Sequence, residues 1–264
     1  MPIRSDISTA SEERWRRLLI DGHRRLRIAH LVFRHLPSPP RCKVCHNPFD
    51  GVGGRLIRLL GYARSRKNPS LCTRCCDRLP PGGAEVDIAV LFADVRGSTA
   101  LAERLGPSSY AVLMNGFYHN ATEVLVRYDA IIDKLVGDEV MALFIPGICG
   151  PHYRRRAAEA AFALVQAVGD VPIGAAVHSG IAYVGNVGGE GVVDFTALGD
   201  TVNTAARLAS VAAAGEVLLS EAVFGAIAAQ CADLECRTLT LRGKEAPVRV
   251  RVARPGQTVS ALES

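Results

Sequence analysis

No apolar run in the chain approaches the roughly 18 residues that a membrane-spanning helix requires, so a spanning helix is not expected. The start of the chain also lacks the hydrophobic stretch and cleavage site of a secretory signal, because Arg4 and Asp6 lead straight into an Arg-rich segment. Together these absences predict a cytoplasmic protein, a setting that disfavours disulfides. Acidic residues are scarce in the first third. Residues 1–84 hold 17 Lys+Arg against 6 Asp+Glu, a balance of +11, whereas the remaining 14 and 20 leave residues 85–264 at −6. The formal net charge of +5 therefore conceals two modules with different partners. Apolar residues, at 48% of 264, suffice for a substantial core and exclude disorder except at the ends.

Ser11–Leu36, SEERWRRLLIDGHRRLRIAHLVFRHL, reads as a helix closed by PSPP. Ser8, Thr9 or Ser11 can cap its start, with Glu12 and Glu13 in the positive first turn. Trp15, Leu18, Leu19, Leu26 and Phe33 recur at helical spacing, while Arg14, Arg17, Arg24, Arg25 and Arg34 supply charge. Such a helix suits an acidic membrane surface or a nucleic acid. The first reading, however, is a packed position with a solvated Arg face, pairing with its mate in a dimer as one form of it.

Five of the eight cysteines fall within Cys42–Cys76. Cys42, Cys45, Cys72 and Cys75 form two C-x2-C pairs separated by 26 residues, and each pair can present two thiolates to one tetrahedral ion. A closed structural zinc site is the first reading, and an iron–sulfur cluster on the same thiolates is the second. Cys76 or His46 could replace one ligand. C-x-x-C-H at Cys42–His46 also matches covalent haem attachment, which would need export and would leave the second pair without a role. The turn-rich LPPGGA at Leu79–Ala84 ends this module. The division expected is residues 1–40, a basic helix; 41–84, a cysteine-rich unit; 85–253, a second domain; and 254–264, a tail.

In the second domain Val86–Asp94 reads as a strand and Ser98–Asp129 as helix broken at Gly106-Pro107. Ala130–Val136 and Glu139–Ile145 form a hairpin, Pro151–Val168 is an Ala-rich helix, and Pro172–His178 is a further strand. The order βαββαβ predicts an α+β, ferredoxin-like fold. Asp94 then poses a question, since it ends a strand too apolar to be anything but buried. A buried carboxylate needs a cation. The split topology brings the end of the first strand beside the hairpin turn, so Asp94 and Asp138 become a carboxylate pair whose hard oxygens suit Mg²⁺ or Mn²⁺. The loop Val95–Thr99 opens a helix whose free N–H groups suit a phosphate, although Ser98 or Thr99 alone reads first as an N-cap.

LFADVRGST, DKLVGDEVMALF, VHSGIAYVGNVG and FTALGDTVNTAARL, in that order and spacing, resemble the catalytic domain of class III nucleotidyl cyclases over about residues 85–253. The resemblance implies that Asp94, Asp138 and the Val95 carbonyl hold two Mg²⁺ or Mn²⁺ ions. It implies that Lys134 and Thr196 recognise the base, Asn203 orients the ribose, Arg207 stabilises charge on the phosphate in flight, and Lys244 holds the terminal phosphates. The expected enzyme is an adenylate cyclase making 3′,5′-cyclic AMP and pyrophosphate from ATP. Its site would form between two subunits of a homodimer, with the metal aspartates on one and Asn203 and Arg207 on the other. Asp200 is expected to cap its helix and His178 to be a satisfied strand-end histidine.

Two positions depart from the family pattern. Thr196 stands where many relatives have Asp, and Gly174 where some have Arg. The competing readings are a guanylate cyclase, a domain that binds nucleotide with little turnover, a zinc-containing nucleic-acid binder suggested by the +11 module, and a diguanylate cyclase suggested by GDEV at Gly137–Val140.

Overall fold

The structure, a computed structural model, describes residues 9–21, 42, 45, 47–59, 62–65, 71–77, 82–169, 171–189, 192–229 and 234–254. Among the described residues the helices α1 (Thr9–Asp21), α2 (Gly51–Leu59) and α3 (Thr73–Asp77) come first. The second domain then runs β1 (Gly82–Val95), α4 (Ser98–Arg127), β2 (Ile131–Val136), β3 (Glu139–Phe144), α5 (Pro146–Cys149), α6 (Tyr153–Ala167) and β4 (Ile173–Gly189). It ends with β5 (Val192–Leu198), α7 (Asp200–Val211), β6 (Val217–Ser220), α8 (Glu221–Phe224), β7 (Glu235–Leu239) and β8 (Val248–Ala253).

The strands form one sheet in the order β2-β3-β1-β4-β6-β8-β7, with β5 paired to β4. Its first four members, β2-β3-β1-β4, are antiparallel and carry the expected βαββαβ connection. β1 is central and buried on both faces, which is why VDIAVLFADV shows no polar alternation. Ala89, Leu91, Ala93 and Val95 face one core, filled by Phe117, Ala121 and Leu125 of α4 and by Ala157, Ala161 and Leu164 of α6. Val86, Ile88, Val90 and Phe92 face the other, filled by Ala205, Leu208 and Ala209 of α7 and, unexpectedly, by Trp15, Leu19, Cys42, Phe49, Leu71 and Cys72. The described residues of the N-terminal module thus pack onto the second domain's core.

The basic helix is packed. Trp15 is fully buried and stacks on Phe195 of β5, with ring centroids 6.1 Å apart, while Arg14, Arg16 and Arg17 remain exposed. α1 also lies so close to α5 that a Cβ on Gly147 would sit 2.6 Å from the Leu18 carbonyl. Of the helix predicted to Leu36, residues 22–36 lie outside the described residues, as does the tail from 255 onward. The predicted break at Gly106-Pro107 is present: Gly106, at φ 73° and ψ 164°, is non-helical and divides α4 into two helical segments. β1 starts at Gly82, so two glycines predicted as turn belong to the sheet. β4 continues to Gly189, well past the predicted end at His178.

Trp→Ala in a core typically costs about 3–5 kcal/mol. Trp15→Ala should therefore lower the thermal stability of the whole chain in a single transition. A separate early transition, with the main one unmoved, would show instead that α1 is an independent appendage.

Candidate active site

The end of β1 and the turn between β2 and β3 meet as the topology requires. Asp94 pairs in register with Glu139, and the Val95 amide donates to the Asp138 carbonyl at 3.0 Å. Gly137, at φ 62°, takes the left-handed conformation this turn needs, and Tyr118 of α4 clamps it by donating its hydroxyl to the Gly137 carbonyl at 2.6 Å. Burial first pushes the Asp94 carboxyl upward from its ordinary pKa, opposed by Arg96 and reinforced by Asp138. Two carboxylates held together in this way are a fitting cradle for a hard divalent cation.

The cation that the sequence demanded for Asp94 is supplied in part from two residues downstream. Arg96 ion-pairs with the Asp94 carboxylate and donates from Nη1 to the Ser210 carbonyl on α7, 2.9 Å away. Sequence reading passed over Arg96, although its place after Asp94 in a tight loop was the available signal. The loop's cap is also not as predicted. Gly97, at φ 68°, is the N-cap of α4 and no side chain caps it, so neither Ser98 nor Thr99 has that role.

A second group of side chains gathers around β5 and α7. Lys134 of β2 donates to Thr196 Oγ1 of β5 at 3.0 Å, joining residues 62 apart in sequence. Asn203 and Arg207 lie one turn apart on α7, Asn203 exposed and Arg207 half-buried. The turn after β7 folds over Arg207, such that a Cβ on Gly243 would stand 3.3 Å from the guanidinium. Lys244, next in sequence, ion-pairs with Asp200 at the head of α7, and that hydrogen bond holds the Asp200 carboxyl below its usual range. Asp200 accordingly does not cap the helix: Gly199 is the N-cap, without a side-chain hydrogen bond. His178 is also different from expectation. It lies mid-strand in β4, and its Nδ1 has no partner among the described residues. Burial, then the nearby Lys244, lower its pKa and favour the neutral ring.

Gly174 pairs with Asp94 in register, and a Cβ there would meet the Ala212 carbonyl at 2.6 Å. The backbone after α7 occupies the space an arginine side chain would leave through. Among the described residues, no hydrogen bond or ion pair links Asp94 or Asp138 to Asn203, Arg207 or Lys244 within the chain.

The family description "Adenylate and Guanylate cyclase catalytic domain" matches residues 84–252. The chain belongs to that family. Among solved structures, this cyclase domain is similar to the adenylyl cyclase CyaB from P. aeruginosa, with a TM-score of 0.56 and 29% identity over 64% of this chain and 94% of that one. It shares its fold with the guanylyl cyclase Cya2, at a TM-score of 0.62 and 22% identity over 67% of this chain and 98% of that one. Among curated relatives, uncharacterised protein Rv1319c of Mycobacterium tuberculosis is 30% identical over 215 residues, covering 77% of this chain but only 38% of the relative. The cyclase chain thus matches well under half the length of that relative.

The cysteine module supports a metal of its own. The sulfurs of Cys42, Cys45, Cys72 and Cys75 all lie within 4.8 Å of one another. A tetrahedral zinc with Zn–S of about 2.3 Å needs S···S separations of about 3.8 Å, so the set fits with little movement. Backbone N–H groups of Cys45 and Cys72 point at the Cys42 sulfur, at 3.5 and 3.3 Å, and the Cys75 N–H points at the Cys72 sulfur at 3.4 Å. Hydrogen bonds within the cluster lower the pKa of Cys42 and raise those of Cys45 and Cys75, as befits four thiols that share their protons. Bringing both pairs together favours a four-thiolate site over haem attachment on one pair. His46 and the side chain of Cys76 lie outside the described residues.

Cys42 and Cys72 are fully buried in the core that covers β1, so metal loss should reach the cyclase domain itself. Cys72→Ser is expected to remove the bound metal and to cost about 3 kcal/mol or more, roughly 10 °C in melting temperature. Elemental analysis and thermal melting of the purified chain check this. Wild-type protein carrying neither zinc nor iron, and melting as Cys72→Ser does, would contradict it.

Proposed function

We propose that this domain is an adenylate cyclase, converting ATP into 3′,5′-cyclic AMP and pyrophosphate at sites formed between two copies of the chain. The observation that carries the reading is the Lys134–Thr196 pair, a donor and an acceptor held 3.0 Å apart. The edge of adenine offers the complement, an acceptor at N1 beside a donor at the 6-amino group.

Asp94, Asp138 and the Val95 carbonyl would hold two divalent ions, Mg²⁺ or Mn²⁺, which when bound acidify the ribose 3′-hydroxyl and neutralise phosphate charge. Asn203 holds the ribose so that the 3′-oxygen lines up with the α-phosphorus. That oxygen attacks as its proton passes to water, the bond from the α-phosphorus to the bridging oxygen breaks, and pyrophosphate departs. Arg207 meets the negative charge that grows on the α-phosphoryl group, an effect worth on the order of 10²–10³ in rate. Lys244 binds the terminal phosphates, exchanging its ion pair with Asp200 for them.

The N-terminal module is proposed as the regulator. It covers the sheet face opposite α4 and α6, and Trp15 rests on Phe195, the residue before Thr196, so any shift of α1 reaches the base pocket in one step. The test of the whole reading is incubation of the purified full chain with ATP or GTP and Mg²⁺ or Mn²⁺, with product identification by mass. Cyclic AMP from ATP in excess of cyclic GMP from GTP supports it. The reverse preference would make this a guanylate cyclase, and no product from a well-folded dimer would leave a nucleotide-binding domain.

A further inference from the structure

Asp133 has no role in the reaction so far described. It directly precedes Lys134, and in a regular strand two neighbouring side chains leave opposite faces. β2 is irregular at this point: its ladder to β3 slips between Ile132 and Lys134, which makes Asp133 the extra residue of a bulge. Bulges re-aim side chains, and this one lets Asp133 and Lys134 both reach Thr196. The Asp133 carboxylate has no exposed surface. Its Oδ2 accepts the Thr196 hydroxyl at 2.9 Å and lies 3.2 Å from Lys134 Nζ, while its Oδ1 has no partner among the described residues. A buried carboxylate satisfied on one oxygen only contributes little to folding, because its desolvation is poorly offset.

What the arrangement does contribute is direction. An ammonium can only donate, so Thr196 Oγ1 must accept from Lys134. A carboxylate oxygen accepts, so the single Thr196 proton goes to Asp133 at 2.9 Å in preference to the Ala197 carbonyl at 3.5 Å. A hydroxyl that could otherwise turn either a proton or a lone pair to a ligand is left with a lone pair only. At the 6-position adenine carries an amino donor and guanine a carbonyl acceptor. We propose that Asp133 is a positioning residue for base selection: it fixes Thr196 as an acceptor, which favours the 6-amino group of adenine and disfavours the 6-oxo group of guanine. A threonine held by a buried carboxylate behind it thereby does the work of the aspartate that many relatives place at position 196. The proposal rests on Lys134 and Thr196 being the base-recognising pair.

Asp133→Asn tests it, since the amide can donate to Thr196 and release the hydroxyl proton toward the base. The quantity to measure is the ATP:GTP ratio of kcat/KM, together with the same ratio of Kd by competition against a fluorescent ATP analogue, which does not need turnover. The ratio should fall about 10-fold or more in Asp133→Asn, the scale of one mis-directed hydrogen bond. In a Thr196→Ala background the same substitution should move it less than about twofold, because the group it acts through is gone. Asp133→Ser serves as a second variant should the amide impair folding, with the same expected direction. An unchanged ratio in a chain that prefers ATP would overturn the role of Asp133 and leave the adenylate reading intact. An equal shift with and without Thr196 would mean a general structural effect and would overturn it as well. A wild-type chain that prefers GTP would overturn the adenylate reading itself, and the proposal with it.

Discussion

Asp94→Ala should lose at least about 10³-fold in cyclic nucleotide formation, corresponding to about 4 kcal/mol of transition-state stabilisation, while the chain stays folded. The size of the effect follows from position. Asp94 lies where the buried strand β1 meets the hairpin turn, half of a carboxylate pair with Asp138, and no other described acidic residue reaches the same place from β1. Folding should not suffer, because ionised Asp94 is held at a cost: burial and Asp138 outweigh Arg96 and raise its pKa. A raised carboxyl pKa means that this group favours the native state most at low pH and loses that contribution as pH rises through the folded value. Substitution by alanine should thus leave stability at neutral pH unchanged or slightly higher. Protons compete with divalent ions for Asp94, so the acid limb of the activity profile should move to lower pH as the Mn²⁺ concentration is raised. Initial rates across pH and Mn²⁺ concentration, alongside melting curves of both proteins, check all three statements. Turnover within tenfold of wild type would remove Asp94 from the metal site.

Sequence made the catalytic half of the chain legible because its chemistry sits on short ordered motifs and its strands have decisive patterns. The apolar run into Asp94 required a strand buried on both faces, and the hairpin in IIDKLVGDEVMALF followed from its Gly-Asp turn. What failed to show was where one side chain's proton or charge is satisfied by a group remote in sequence. Asp200 looks like a helix cap until Lys244, 44 residues on, is seen to take its carboxylate. Asp133 carries no signal of its own in the sequence, because the bulge that turns it inward leaves no mark in a six-residue segment. The N-terminal helix carries its packed character in the spacing of Trp15, Leu18 and Leu19, but not the surface it packs on. Its composition matches a free basic helix, and only the fold shows that Trp15 and Leu19 complete a core begun by Val86, Ile88 and Val90.

Mixing two inactive variants should restore activity. Asp94→Ala carries intact Asn203, Arg207 and Lys244; Arg207→Ala carries intact Asp94 and Asp138. Within one chain the two groups make no direct contact among the described residues, as expected of residues that face their counterparts across an isologous interface. Each variant alone should then be nearly dead, having the same lesion in both of its sites. In a mixed dimer, one site collects both lesions and the other collects neither. Random assortment makes half the dimers mixed, so about a quarter of wild-type activity should return after co-refolding or subunit exchange, without any change in KM. Size-exclusion chromatography of the mixture, with one variant tagged, ties the recovered activity to the mixed species. Were both groups to serve the same site from one chain, every mixed dimer would still hold two broken sites, and the mixture would be no more active than its parts.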